Sequence, residues 1–135
     1  MNQPKQLPVA LFTLRITVFV VFFVWCVDKF VRPDHASKVF EIFYGSPAFG
    51  PTISYLIGAL QMVLLIGFLL GIQKKITYGA LLLFHFISTV SSYKQYLAPY
   101  EGMNLLFFAA WPMLAACYAL YILRDSDTLW SLKKT

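Results

Sequence analysis

Residues 81–93 read LLLFHFISTVSSY, an apolar stretch that carries a histidine and a run of hydroxyl side chains. A polar side chain inside a membrane span is costly, so His85 needs either a structural partner or a function. Across the 135 residues, 59% are hydrophobic and only 13% are charged, which is far below the charged share of a soluble domain. The composition indicates one integral membrane domain without an attached water-soluble enzyme.

Four apolar runs are each long enough to cross about 30 Å of hydrocarbon as a helix. We place them at about 9–31, 53–72, 76–97 and 103–123. The predicted fold class is therefore all-α: a polytopic membrane protein whose single domain, residues 1–135, is an antiparallel bundle of four transmembrane helices. Between the first two runs, Asp34 follows Pro33 as a helix start and apolar side chains continue to Tyr44. This pattern predicts a short amphipathic helix near 34–44 on the outer membrane surface.

The basic residues predict the orientation of the chain. They lie at the ends of the apolar runs, where they fit orientation signals and lipid headgroups better than a nucleic-acid-binding face. On the inner side we place Lys5, Arg15, Lys74, Lys75, Arg124, Lys133 and Lys134. On the outer side we place Lys29, Arg32, Lys38 and Lys94. The excess favours two cytoplasmic termini.

The polar residues of the third run share one helical face, because they recur at steps of three, four or seven. They are Tyr78, His85, Ser88, Ser92 and Gln95. A polar face turned to lipid would be expensive, so we expect this face to look into the bundle. Gln61 of the second run lies at about the same depth as His85, close to the midplane.

Two interpretations of His85 and Gln61 stay open at this point. In the first, they form an interhelical hydrogen bond that only holds the bundle together. In the second, they line an internal polar pocket with Ser88 and Ser92, capped by the 34–44 helix. A neutral imidazole offers one donor and one acceptor, which would suit a carbonyl such as a quinone oxygen. The hydroxyls of the two serines also have a simpler use, as donors to carbonyls one turn back.

Further polar residues near the spans are candidates for the same pocket. Arg15 lies inside the first run, where its guanidinium either snorkels back to the cytoplasmic surface or bonds inward. Lys29 lies on the same face near the outer end of that run, and Asn104 lies near the outer end of the fourth. Arg15 is expected to be more structural than catalytic, because a guanidinium inside a span needs partners.

The two cysteines, Cys26 and Cys117, are predicted at opposite ends of their runs and too far apart for a disulfide. The sequence has no paired cysteine and histidine spacing for zinc, and no metal site is predicted. The pair Gly67 and Gly71 predicts close approach of a neighbouring helix, from the same chain or from another. Pro112 predicts a kink in the fourth run.

The arrangement resembles the DoxX-like family of small four-helix membrane proteins, over nearly the whole chain. Arg15 matches the arginine that opens the family's first span, and Lys29 matches the lysine near its outer end. Residues 57–83, IGALQMVLLIGFLLGIQKKITYGALLL, resemble the second span and its basic turn, and residues 104–111, NLLFFAAW, resemble the start of the last span. Cys26 stands where the family usually has glycine, and Gln61 stands where it usually has glutamate.

The resemblance implies a bacterial inner-membrane subunit that is accessory to a membrane redox system, quinone-linked or sulfur-oxidising, with quinone as the possible cofactor. It also implies contact with the lipid bilayer and with other membrane subunits or further copies of the chain. A non-catalytic assembly subunit that packs against a larger complex is the alternative, and transport is a weaker third. Whether the chain is an enzyme stays open.

Overall fold

The computed structural model describes residues 3–132, which form helices joined by short turns, with no strand in that range. Lys133 and Lys134, counted above among the inner charges, lie outside it. The helices are α1 (Gln6–Val31), α2 (Pro33–Tyr44), α3 (Pro51–Leu70), α4 (Lys74–Ser91), α5 (Tyr93–Leu97) and α6 (Ala110–Ile122). Two 3-10 segments, Asn104–Ala109 and Arg124–Ser126, flank α6. The predicted all-helical class is confirmed, and the helix predicted near 34–44 is present as α2.

Four helices pack in a ring. Helix α1 contacts α3 and α6, and α4 contacts the same two helices. Helix α2 contacts α1, α3 and α4, so it lies across the ring at the end of α1. Apolar side chains from all four ring helices fill the core, among them Leu11, Val18, Leu65, Leu81 and Leu120.

Three helical segments between residues 3 and 132 are long and apolar enough to cross a membrane, judged by length and composition: Gln6–Val31, Pro51–Leu70 and Asn104–Ile122. Large apolar side chains are exposed along them, including Val24, Leu60, Val63 and Ile122. Helix α4 is not among the three, since Lys74, Lys75 and His85 lower its mean hydropathy.

The predicted third span, 76–97, is not one continuous helix. Helix α4 ends at Ser91, and Ser92 (φ −90°, ψ 20°) separates it from α5. Hydroxyls cluster at this end: Thr89 donates to the carbonyl of His85 at 2.7 Å, and Ser92 donates to that of Ser88 at 3.1 Å. Such side-chain bonds compete with backbone bonds and favour a break.

The predicted fourth span, 103–123, also departs from a single α-helix. Its first turns, Asn104–Ala109, are 3-10 helix, and the chain changes to α-helix at Ala110. Pro112 follows in the first turn of α6, a position at which helices tolerate proline. The proline thus starts a regular helix just after the change of helix type.

The glycines of α3 mark close contacts inside this chain. A Cβ atom added to Gly67 would lie 2.9 Å from Cγ2 of Thr77 on α4. The helix that approaches Gly67 is therefore a neighbour in the same molecule, which settles a point the sequence left open.

Gly71 ends α3 in the left-handed conformation (φ +70°) and lies against the C-terminal segment. An added Cβ would lie 2.9 Å from Cβ of Ser131 and would collide with its Oγ. Nearby, the N–H of Leu132 donates to the carbonyl of Leu70 at 2.8 Å. Residues 127–132, the C-terminal strap, therefore lie against the end of α3.

We expect Gly71→Ala to destabilise the protein more than Gly45→Ala. Both glycines end a helix at positive φ, where a non-glycine residue lowers stability by roughly 1–2 kcal/mol. The surroundings differ: Gly45 (φ +66°) has open space around it, whereas Gly71 touches the strap. Thermal unfolding in detergent measures the unfolding temperature of each variant. The difference between the two variants reports the cost of displacing the strap. Equal losses would show that the strap contact contributes nothing.

Candidate functional site

A cavity of about 630 Å³ lies between α2 and the ring helices α1, α3 and α4. Its size falls in the range of small-molecule sites. Most of the wall is apolar: α1 contributes Phe22 and Trp25, and α2 contributes Val39, Phe40 and Phe43. A cavity with a largely apolar wall and a few polar groups is the form typical of sites for small organic ligands.

Polar side chains from three helices line the same cavity. The structure brings together five of the seven predicted site residues there: Lys29 from α1, Gln61 from α3, and His85, Ser88 and Ser92 from α4. Helix α2 covers them, in the position proposed for the capping helix.

His85 is 1% exposed and uses one ring nitrogen to bind another helix. Its Nε2 lies 2.9 Å from the carbonyl oxygen of Ala110 in the first turn of α6. A carbonyl only accepts, so Nε2 carries the hydrogen and donates it. Nδ1 has no hydrogen-bond partner within residues 3–132. His85 thus forms an interhelical hydrogen bond, but its partner is the Ala110 carbonyl and not Gln61, the partner that the first interpretation predicted.

Aromatic side chains of α1 hold the imidazole in place. The ring of Trp25 stacks on that of His85 with centroids 6.0 Å apart and an interplanar angle of 21°. Phe22 meets the same ring edge-on at 6.1 Å. Such contacts contribute about 0.5–1.5 kcal/mol each beyond area burial. The imidazole is therefore fixed on two sides and by the Ala110 bond.

Gln61 and Ser88 offer further free hydrogen-bonding groups. Neither side chain forms a hydrogen bond with another residue in the described part of the chain, and both line the cavity. Ser92 is used differently, since its hydroxyl donates to the Ser88 carbonyl. Lys29 Nζ lies 3.4 Å from the Trp25 carbonyl oxygen. The cavity therefore presents an amide and a hydroxyl that are able to bind a ligand.

Two predicted site residues lie elsewhere. Asn104 donates from Nδ2 to the carbonyl of Ala98 at 3.0 Å and stabilises the turn between α5 and the 3-10 segment. Arg15 is fully buried among other charged residues at the opposite end of the ring. Neither residue lines the cavity, so the structure places both apart from His85.

Arg15 belongs to a buried charge cluster with Tyr78, Lys74 and Asp127, each at most 1% exposed. Its Nη1 lies 3.2 Å from Oδ2 of Asp127. The same oxygen accepts a hydrogen bond from the Tyr78 hydroxyl at 2.6 Å. Lys74 donates to the backbone carbonyl of Asp127. Of the two alternatives for the guanidinium, inward bonding is the one observed.

This cluster fixes the C-terminal strap. Nη2 of Arg15 donates to the carbonyls of Leu129 and Trp130, and Lys74 donates to the carbonyl of Arg124 at 3.2 Å. Trp130 is held at positive φ (+51°) with 84% of its surface exposed. Residues 123–132, which follow α6, therefore fold back under the ring.

Asp127 is the important residue that sequence reasoning missed, although a signal was present. An arginine inside a span needs a counter-charge, and the chain has only six acidic residues. Four of them, Asp28, Asp34, Glu41 and Glu101, fall on the predicted outer side. Only Asp125 and Asp127 fall on the side of Arg15, so elimination would have left these two as candidates for the counter-charge.

At the other end of α1, Asp28 joins α1 to α2. Its two oxygens lie 2.6 Å from Nε of Arg32 and 2.6 Å from Nδ1 of His35. All three residues contribute to the cavity wall. Arg32 is 63% exposed, so the ion pair itself contributes little to stability. This network therefore joins α1 to α2 at the cavity wall.

Both cysteines are free and buried. Cys26 Sγ lies 3.2 Å from the carbonyl oxygen of Gly58 on α3 and lines the cavity, whereas Cys117 lies in the core. The missing side chain of Gly58 makes room for Phe30 of α1, because an added Cβ would lie 2.8 Å from its ring.

Comparisons of the chain with protein-family models, curated proteins and solved structures found no match. The DoxX-like resemblance therefore stays a prediction that rests on the residues quoted for it.

Proposed function

We propose that this chain is a small integral membrane subunit that binds a ring compound of the quinone class in the cavity beneath α2. The observation that carries the proposal is the cavity itself: its wall combines a largely apolar surface with the polar groups of His85, Gln61 and Ser88. A quinone likewise combines an apolar body with two polar oxygens. The size of the cavity suits one such ring with part of an apolar tail.

In this proposal the chain is an accessory subunit of a quinone-linked or sulfur-oxidising system in a bacterial inner membrane, as the DoxX-like resemblance implies. The protein would place the ring for a partner subunit that carries out electron transfer.

Binding of decylbenzoquinone to the full chain in lipid nanodiscs tests the proposed function. We expect saturable binding of one quinone per chain, followed through quenching of tryptophan fluorescence because Trp25 lines the cavity. Quenching that rises linearly with quinone, as simple partition into lipid gives, would contradict it. That result would favour the assembly subunit instead.

The proposal includes four spans with both termini in the cytoplasm. Helix α4 supports a fourth span: its 18 residues extend about 27 Å, and its outward face carries Leu83, Phe86, Ile87 and Val90, all more than 40% exposed. Its polar residues Tyr78, His85 and Thr89 are buried inside the ring. A helix with an apolar outer face and a polar inner face suits a membrane bundle.

Single cysteines at positions 48, 75 and 101 test this topology, in a background with Cys26→Ala and Cys117→Ala. These positions are exposed and lie before α3, at the start of α4 and after α5. In intact cells, an impermeant maleimide should label positions 48 and 101 but not 75. Labelling of 101 from the same side as 75 would show that α4 does not cross, and labelling of 75 alone would reverse the orientation.

A further inference from the structure

The hydrogen-bonding state of His85 restricts the ligand more narrowly than the shape of the cavity does. Nε2 donates to the Ala110 carbonyl, so this nitrogen is not available to a ligand. In the neutral ring the other nitrogen, Nδ1, is then an acceptor only. It has almost no accessible surface and no partner among residues 3–132, so a ligand in the cavity that His85 lines contacts Nδ1 only after a small shift of a neighbouring side chain. The donor that the sequence analysis offered to a ligand carbonyl is therefore already used.

An unsatisfied acceptor distinguishes between ligands. A ligand hydroxyl would donate to Nδ1, whereas a carbonyl or an ether oxygen would place a second acceptor against it. A buried polar atom left without a partner weakens binding, because no hydrogen bond offsets the loss of its contact with water. A site whose buried polar group matches one ligand therefore rejects an analogue that lacks the matching group.

The surroundings of the imidazole favour an aromatic body for this ligand. Trp25 stacks on His85 and Phe22 packs edge-on against it, so flat rings already pack in this part of the wall. Gln61 and Ser88 each offer both a donor and an acceptor to a second polar substituent. They lie on two different helices that face the same cavity.

We infer that the cavity selects a ligand with a hydroxyl on an aromatic ring, a phenol or a reduced quinol, and that Nδ1 of His85 accepts the hydroxyl hydrogen. The inference rests on the proposed function and adds the direction of the hydrogen bond to it. A reduced quinol would bind more tightly than its oxidised form, so the subunit would hold the electron-donating form of the carrier.

A redox-stable pair of probes tests the selectivity: 4-octylphenol and its methyl ether, 4-octylanisole. They differ in the donor hydrogen, which the ether has replaced with a methyl group. We expect the wild-type chain in nanodiscs to bind the phenol about tenfold more tightly than the ether, as one satisfied buried acceptor requires. Equal affinities would overturn the inference.

The variant His85→Gln separates the effect of the hydrogen bond to Nδ1 from the effect of the extra methyl group of the ether. The glutamine amide reaches the position of Nε2 and retains a donor for the Ala110 carbonyl, but it places no acceptor where Nδ1 was. The variant should unfold near the wild-type temperature, bind the phenol about tenfold more weakly and bind the ether unchanged. A preference for the phenol that persists in this variant would assign the selectivity to the size of the methyl group and overturn the inference.

Nitrogen-15 NMR of the histidines gives an answer even where His85→Gln fails to fold. The chain has two histidines, so a His35→Gln sample leaves His85 alone in the spectrum. Adding 4-octylphenol should shift the Nδ1 resonance in the direction of a hydrogen-bonded acceptor, and 4-octylanisole should not. An unshifted Nδ1 with bound phenol would contradict the assignment. Quinone binding without phenol selectivity refutes this inference alone, whereas binding of no probe at all refutes the proposed function as well.

Discussion

Replacing Asp127 with alanine is expected to lower the free energy of unfolding by about 3–5 kcal/mol, the usual cost of removing one partner of a buried ion pair. Arg15 and Asp127 are both 0% exposed, and their side chains lie 3.2 Å apart. Without the carboxylate, the guanidinium would stay buried with only neutral oxygens around it, from Tyr78, Leu129 and Trp130. Thermal or denaturant unfolding in detergent, followed by circular dichroism, measures the loss.

Asp125→Ala is the matched control. Asp125 lies two residues earlier, in the 3-10 segment that precedes the strap, and is exposed, so its removal should change stability little. A loss with Asp127→Ala no larger than that with Asp125→Ala would contradict the buried charge cluster.

The double variant Arg15→Met, Asp127→Leu distinguishes a net stabilising ion pair from a buried charge that only needs a partner. Removing both charges avoids the unpaired guanidinium, so the double variant should recover most of the stability lost by Asp127→Ala. Partial loss of order in the strap should remain, because Arg15 also donates to the carbonyls of Leu129 and Trp130. This pattern would confirm a structural role for Arg15, as the sequence analysis predicted.

The helical class and the position of α2 could be predicted because both depend on local patterns. Long apolar runs favour helices whatever their neighbours are, and Pro33 with Asp34 gives a start signal that the structure confirms. The polar face of the third run also predicted which side chains turn inward, since His85 and Ser92 are buried. Periodicity assigns a face, and burial of that face then follows from the cost of polar groups in lipid.

The contacts between distant segments could not be read from the same patterns. The hydrogen bond from His85 goes to a backbone carbonyl at Ala110, and any residue type would have supplied that acceptor. The break at Ser92 depends on which hydroxyl side chains donate to backbone carbonyls. Composition does not determine these bonds. The position of Arg15 depends on the fold of the strap, a segment without hydrophobic periodicity that lies beyond the last span.

Filling the cavity is expected to abolish ligand binding without harming the fold. Ser88 lines the cavity, so Ser88→Phe would place a benzyl group in the space proposed for the ring. Overpacking a filled core usually costs 1–3 kcal/mol, whereas a side chain that enters an empty cavity avoids this cost. Ser91→Phe is the matched control, because Ser91 is one turn further along α4, bonds the carbonyl of Ile87 and does not line the cavity.

The central claim is that the cavity beneath α2 holds a small ring compound, and the most direct test is equilibrium binding of decylbenzoquinone to these two variants in nanodiscs. The claim predicts that Ser88→Phe loses saturable binding, with an affinity more than about tenfold weaker, while its unfolding temperature stays near that of the wild type. Ser91→Phe should bind as the wild type does. Saturable binding that survives Ser88→Phe unchanged would place the ligand elsewhere on the protein and contradict the claim.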